Sequence, residues 1–333
     1  MKFDTVAMMG ATGAVGQAMI QVLEEQNFPL QKLVLLASPR SAGGTLSFRG
    51  QQLPVEVATE DSFQDVDLVL GAAENEIALA FAPAIAKAGA VFVDNSSAFR
   101  MDPQVPLVVP EVNPQDALLH NGIIANPNCT TIITLTAMQA LRTLAPVRSM
   151  IASTYPAVSG AGAGGPVELQ QQVQALLQEQ KVEMQVFPYQ IAYNLIPHIG
   201  PQQEAGYTSE EMKLHYESRK ILHQSSLAVS CTCVRVPVVR CHSISLRVTF
   251  QRPVSVEAAR AAIASAPGCR LVDDPGNGIY PMPLDASDQD LVYVGRIRPD
   301  MTDPNSLNLW CCGDQIRKGA ATNAIQIAQL LLR

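Results

Sequence analysis

The chain has 333 residues, of which 47% are hydrophobic, 16% charged and 5% aromatic, with a formal net charge of −7 at pH 7. That length suffices for two domains with separate cores, and an acidic balance without any basic run argues against a nucleic-acid partner. Apolar stretches are short and broken by Gly, Pro or charge, so no membrane span is expected.

Met1-Lys2-Phe3-Asp4 leads straight into a strand, which reads as a chain without a signal peptide. The strand, Thr5–Met9, is followed by Gly10-Ala11-Thr12-Gly13-Ala14-Val15-Gly16 and then by a helical pattern with Val15, Ala18, Met19, Val22 and Leu23 on one face. A Gly-x-x-Gly-x-x-Gly placed between strand and helix is a dinucleotide signature. Its glycines allow a tight turn and close backbone approach, and the helix N-terminus faces the pyrophosphate. Gly10, Thr12, Gly13, Ala14, Val15 and Gly16 are therefore candidate cofactor contacts. The second strand, 33–37, ends without the acidic residue that would accept ribose hydroxyls in an NAD site. Instead it runs into Ser38-Pro39-Arg40-Ser41 and two glycines. Two hydroxyls and a guanidinium suit a 2′-phosphate, so Ser38, Arg40 and Ser41 favour NADP; an ordinary polar turn is the bland alternative. Further strands are expected over 66–73, 90–94 and 107–109, with a helix over 75–88. Near-continuous apolar strands alternating with helices predict a Rossmann-type, doubly wound parallel sheet over residues 1–127.

Asn126-Pro127-Asn128-Cys129-Thr130 then places a thiol at the first turn of a helix running to about Leu141. A helix N-terminus carries roughly half a positive charge, which biases such a thiol toward thiolate, the nucleophilic form. A small apolar residue tucked under the helix is the alternative. Beyond it, longer alternating strands over 150–155 and 234–250 predict an α+β domain over 128–312 with a mostly antiparallel sheet. Between them lie a Gly-rich loop at 159–165 and a Gln-rich helix at 167–180. Thr208 and Glu211 fit a capping box at the start of another helix, where Lys213 could pair with Glu217. His242 shares parity with Ile244, Leu246, Val248 and Phe250 and should point inward. Arg235 has the opposite parity, but Pro237 cannot serve a central ladder, so a kink between them would let both side chains reach one pocket. The last helix, about 318–332, has a small-residue face and is expected to return, within the segment 313–333, to the first domain. Cys231-x-Cys233 and Cys311-Cys312 are too closely spaced for zinc ligation or easy bridging, which suggests reduced thiols, no metal, and a cytoplasmic protein.

Taken together, the segments 10–16, 94–100, 109–113, 126–130, 159–162, 235–243 and 317–324 resemble those of the aspartate-semialdehyde dehydrogenase family, essentially end to end. The resemblance implies NADP-dependent, reversible reduction of β-aspartyl phosphate to L-aspartate β-semialdehyde in lysine, threonine, methionine and diaminopimelate biosynthesis. It implies Cys129 as nucleophile through a thioester and His242 as general acid/base. It further implies Arg235 on the substrate α-carboxylate, Glu210 on its ammonium, and Lys213 with Arg100 on phosphate. Asn128 would help stabilise the oxyanion, Ser159, Gly160 and Gln315 would meet the cofactor, and the molecule would be a homodimer. Two positions depart from the family. Pro156 stands where the family has a glutamine beside the nucleophile, and Gln315 where it usually has asparagine. These leave room for a related acyl-phosphate reductase, or for a paralogue that binds NADP without catalysis.

Overall fold

The structure is a computed structural model, and residues 2–332 are described. Its first unit comprises the chain up to Asn128, Lys220–Leu222, and the chain from Gly319 onward. Here the elements are β1 (Thr5–Met9), α1 (Ala14–Glu25), β2 (Lys32–Ala37), β3 (Thr45–Phe48), β4 (Gln51–Val57), β5 (Leu68–Gly71), α2 (Asn75–Ala88), β6 (Val91–Asp94) and β7 (Ile123–Ala125), whose seven strands form one sheet. Its order is β3-β4-β2-β1-β5-β6-β7, parallel except for the β3–β4 pair. Chain order reverses at β1, so the glycine turn that follows β1 lies at the topological switch point, where α/β sheets bind their ligands. The central strands are buried along their length, as expected for a sheet covered on both faces.

Two expectations for this unit change. The segment 107–109 is not a strand; Leu107 makes only an isolated bridge to Ala125, and the edge place goes to β7. Pro106 and Pro110 flank those three residues and supply no ladder N–H. The β3–β4 hairpin was not anticipated. Its two-residue turn is Arg49-Gly50, both with positive φ (49° and 74°), the backbone that matches strand twist in tight hairpins. At the C-terminus a wider π-turn, Arg317–Ala321, precedes the helix Thr322–Leu330. Ala320, Ala321, Ala324, Ile327, Ala328 and Leu331 are all buried there. Asn323 donates to Asn126 Oδ1 (2.7 Å) and to the Val108 carbonyl (3.0 Å), which fastens this helix to the first unit.

The second unit, Cys129–Arg219 and His223–Lys318, is a mixed α/β structure. It contains α3 (Cys129–Arg142), β8 (Val147–Tyr155), α4 (Gly164–Leu177), α5 (Ser209–Ile221), β9 (Ala228–Cys233), β10 (His242–Phe250), α6 (Val256–Ser265), β11 (Cys269–Leu271), α7 (Pro283–Ala286), β12 (Val292–Pro299) and β13 (Ser306–Gly313). The six strands run in the order β11-β12-β13-β10-β8-β9. The three inner pairings are antiparallel and the two edge pairings parallel. α3 packs against β10, β12 and β13 and is buried from Thr130 to Ala137 without a break. The Gln-rich helix starts earlier than expected, at Gly164, because Pro166 is tolerated within a first turn whose N–H groups have no intrahelical partners. The strand expected over 234–250 begins only at His242. Residues 234–241 form a loop instead, and Cys241 closes it with φ +81°. Among the described residues, no helix is long and apolar enough to cross a membrane.

Candidate active site

Cys129 is the first residue of α3, and its Sγ lies 3.3 Å from Nε2 of His242. His242 opens β10 opposite Gly313 of β13, and its inward parity leaves it 1% exposed. The expected kink is real. The loop that ends at Cys241 lets Arg235, 8% exposed, reach the same region despite its parity.

One residue ties the two together. The Ala157 carbonyl accepts from Arg235 Nη1 (2.7 Å), and the Ala157 N–H donates to His242 Nδ1 (3.2 Å). A backbone N–H can only donate, so Nδ1 carries no proton and the neutral ring holds its hydrogen on Nε2, toward Sγ. Residue 157 was outside the sequence prediction because it acts through its peptide groups, which carry no residue-specific signal. It follows Pro156, which is buried and whose carbonyl accepts from the Val236 N–H (3.2 Å). Gly160 closes over both side chains. A Cβ there would stand 2.9 Å from Arg235 Nη1 and 2.9 Å from His242 Cε1.

Burial and, after it, the Arg235 charge push the His242 pKa down from 6.5 to about 3, while Glu210 opposes the shift. Burial likewise lowers the Arg235 pKa, with Glu210 and Cys129 acting to raise it. His242 in the ligand-free protein should therefore stay neutral, as the Nε2–H tautomer, over about pH 5–8. Nitrogen-15 NMR of the imidazole checks this; a titration midpoint near the ordinary 6.5 would contradict it.

The capping box at α5 forms, with the Thr208 N–H donating to Glu211 Oε2 (2.7 Å) and the Glu211 N–H to Thr208 Oγ1 (3.5 Å). Lys213 pairs with Glu210 (3.0 Å). Such a partly exposed pair is worth less than about 1 kcal/mol, so ligand ions can open it cheaply. Gln315 is 4% exposed; its Oε1 accepts from the Cys241 N–H (2.9 Å) and its Nε2 donates to Ser159 Oγ. Its amide thus links the turn before His242 to the turn that carries Gly160.

Arg100 and Asn128 belong to the first unit, where both are buried. Arg100 donates from Nε to the Asn126 carbonyl (3.0 Å) and from Nη2 to the Asn95 carbonyl (2.8 Å). The glycine turn of that unit fits a dinucleotide. Gly10 has φ +85°, and a Cβ on it would lie 2.6 Å from the Ala72 carbonyl oxygen; one on Gly16 would lie 2.2 Å from the Gly10 oxygen. Gly13 caps α1 without a side chain, and Thr12, Ala14 and Val15 flank it at the helix N-terminus. Ser38, Arg40 and Ser41 are exposed in the turn after β2, with the Ser41 N–H bonded to the Ser38 carbonyl (2.9 Å).

Residues 5–120 match the family model described as semialdehyde dehydrogenase, NAD binding domain, and residues 138–318 match its dimerisation domain. The aspartate-semialdehyde dehydrogenase of Synechocystis sp. is 51% identical over 327 residues, 98% of this chain and 97% of that protein. This chain belongs to the aspartate-semialdehyde dehydrogenase family. The Aquifex aeolicus member is 48% identical, covering 98% of each chain. Among solved structures, aspartate semialdehyde dehydrogenase II of Vibrio cholerae complexed with ASA superposes with a TM-score of 0.97 at 41% identity. That match covers 100% of this chain and 99% of the other. Membership makes the protein an oxidoreductase of the semialdehyde dehydrogenase type, with a dinucleotide-binding domain followed by a dimerisation domain.

Proposed function

We propose that the protein interconverts L-aspartate β-semialdehyde and β-aspartyl phosphate, using NADP and phosphate, as a homodimer. The observation that carries this reading is the Cys129 thiol at the start of α3, bonded to a buried His242, with Arg235 held by the same residue that orients the imidazole.

In the oxidising direction Cys129 attacks as the thiolate, as the Nε2–H of His242 facing Sγ favours: a sulfur lone pair forms the C–S bond to the aldehyde carbon while the C=O π pair moves onto oxygen, giving the thiohemiacetal oxyanion. The Nε2–H of His242 faces Sγ and is placed to hydrogen-bond the developing oxyanion, with Asn128 beside Cys129 in sequence as a further donor. NADP⁺ held at the glycine turn would supply the chemistry the residues lack, an acceptor for the hydride lost from the thiohemiacetal carbon. That loss leaves a thioester on Cys129, which phosphate oxygen attacks, releasing acyl phosphate and restoring the thiolate. Biosynthetic reduction runs these steps backward. Arg235 spends one N–H on Ala157, and the rest of its guanidinium fork offers paired donors to the substrate α-carboxylate. Glu210 takes the ammonium, while Lys213 and Arg100 serve phosphate.

A carboxylate on Arg235 would also offset the charge that, after burial, lowers the His242 pKa. For the cofactor, Gly10, Thr12, Gly13, Ala14, Val15 and Gly16 take the pyrophosphate, and Ser38, Arg40 and Ser41 the 2′-phosphate. Ser159, Gly160 and Gln315 form the nicotinamide side. The dimerisation domain supports the homodimer.

The test is NADPH formation from aspartate semialdehyde, NADP⁺ and phosphate. Turnover should require phosphate, and Pro156→Gln should raise kcat/KM by about tenfold, the worth of one hydrogen bond regained in the transition state. NADP binding without turnover, in wild type and Pro156→Gln alike, would instead make the chain a non-catalytic paralogue. Turnover only with another acyl phosphate would move it to a related reductase.

A further inference from the structure

Between α4 and α5 the chain runs through residues 178–203 with almost no regular structure, yet several of its N–H groups end on two side chains of α4. Glu168, 4% exposed, accepts from the backbone N–H groups of Gln185 (2.9 Å), Val186 and Phe187 (3.3 Å). Gln172, one turn on and 1% exposed, accepts from Ile191 (2.9 Å) and Ala192 (3.1 Å) and donates to Glu168 (3.0 Å). A buried carboxylate is costly unless several donors satisfy it, so this one fixes the path of the segment. Two contacts of the segment reach Arg235. The Phe187 ring lies under the Arg235 guanidinium, with Cζ 5.9 Å from its centroid. Farther along, Ile196 and Arg235 exchange both backbone bonds, at 2.8 and 3.1 Å. Phe187, Ile191, Ala192 and Ile196 form one buried cluster with Val158 and Leu169.

We propose that Glu168 is a positioning residue for substrate recognition: it holds 185–187 so that Phe187 presents its ring face to Arg235 and sets the angle of the carboxylate-binding fork. The proposal rests on the reading of Arg235 as the α-carboxylate ligand. Glu168 itself touches neither Arg235 nor the reacting atoms. Glutamine in its place keeps the shape but turns an amide NH₂ toward backbone donors, which loosens the segment.

The experiment measures kcat and KM for Glu168→Gln, Phe187→Leu and Arg235→Lys, with thermal melting as a check on folding. Each variant is assayed with aspartate semialdehyde and with an amino-aldehyde that lacks the α-carboxylate. Glu168→Gln and Phe187→Leu should each raise KM for aspartate semialdehyde about five- to thirtyfold, the range a lost cation–π contact gives, with kcat within about twofold. KM for NADP⁺ and the kcat/KM of the carboxylate-free aldehyde should not move. Phe187→Leu leaves the Glu168 bonds in place and decides the matter should Glu168→Gln fail to fold. Folded variants with an unchanged KM, or an equal loss on the carboxylate-free aldehyde, would overturn the proposal. An unchanged KM in Arg235→Lys would overturn the underlying assignment of Arg235 instead.

Discussion

Cys129→Ser is expected to abolish NADPH formation, lowering kcat/KM by about 10⁴-fold or more while NADP⁺ affinity and melting temperature stay near those of wild type. The size of the effect follows from the chemistry. A hydroxyl is barely ionised at neutral pH and would form an oxygen ester that is much less reactive toward phosphate or hydride than a thioester. The small stability cost follows from the site. Cys129 is only partly buried, it opens α3 rather than sitting in its middle, and serine is a good residue at a helix start. Steady-state rates, nucleotide titration and a melting curve check the three parts separately. A serine variant that keeps more than a few per cent of the rate would remove Cys129 from the mechanism.

Gly160→Ala is expected to cost about a hundredfold or more in kcat/KM with modest loss of stability. Gly160 does not have a positive φ, so alanine imposes no backbone strain, and the penalty comes from space alone. The new methyl would meet Arg235 Nη1 and His242 Cε1 at 2.9 Å and Nε2 at 3.2 Å, inside ordinary contact for all three. Both side chains hang from Ala157, so neither can move away without losing its bond to that residue. A displacement near 1 Å of the group facing Cys129 is the kind of error that costs about 10²-fold in rate. Gly276→Ala is the matched control, since its nearest neighbour would be 3.7 Å away and its φ is also ordinary. Equal kinetics for the two alanine variants would show that the packing around Gly160 is irrelevant to catalysis.

Much of this arrangement was legible in the sequence, for reasons tied to particular residues. The glycines of the first turn are required by their own geometry, so the pattern Gly10, Gly13 and Gly16 reports the close approaches that the structure contains. The burial of His242 followed from period-2 parity with Ile244 to Phe250, and the break before it from Pro237. The β3–β4 hairpin escaped because its strands are largely exposed and carry little apolar alternation. The segment 107–109 misled because three apolar residues look like a strand until the flanking prolines are counted against the ladder. Backbone roles were out of reach altogether. Ala157 orients Arg235 and His242 through its carbonyl and N–H, and any residue with a free N–H could do the same. The tie between Phe187 and Glu168 was equally silent, since an irregular segment pinned by side chains has no period to read.

In the proposed reaction Cys129 carries the acyl group through a thioester that phosphate cleaves. Rapid mixing of the protein with aspartate semialdehyde and NADP⁺ without phosphate, followed by acid quench and mass spectrometry, tests it most directly. The expected result is a burst of about one NADPH per active site and an aspartyl adduct on the peptide that contains Cys129, discharged when phosphate is added. NADPH formed continuously without phosphate, or an adduct absent from Cys129, would contradict it.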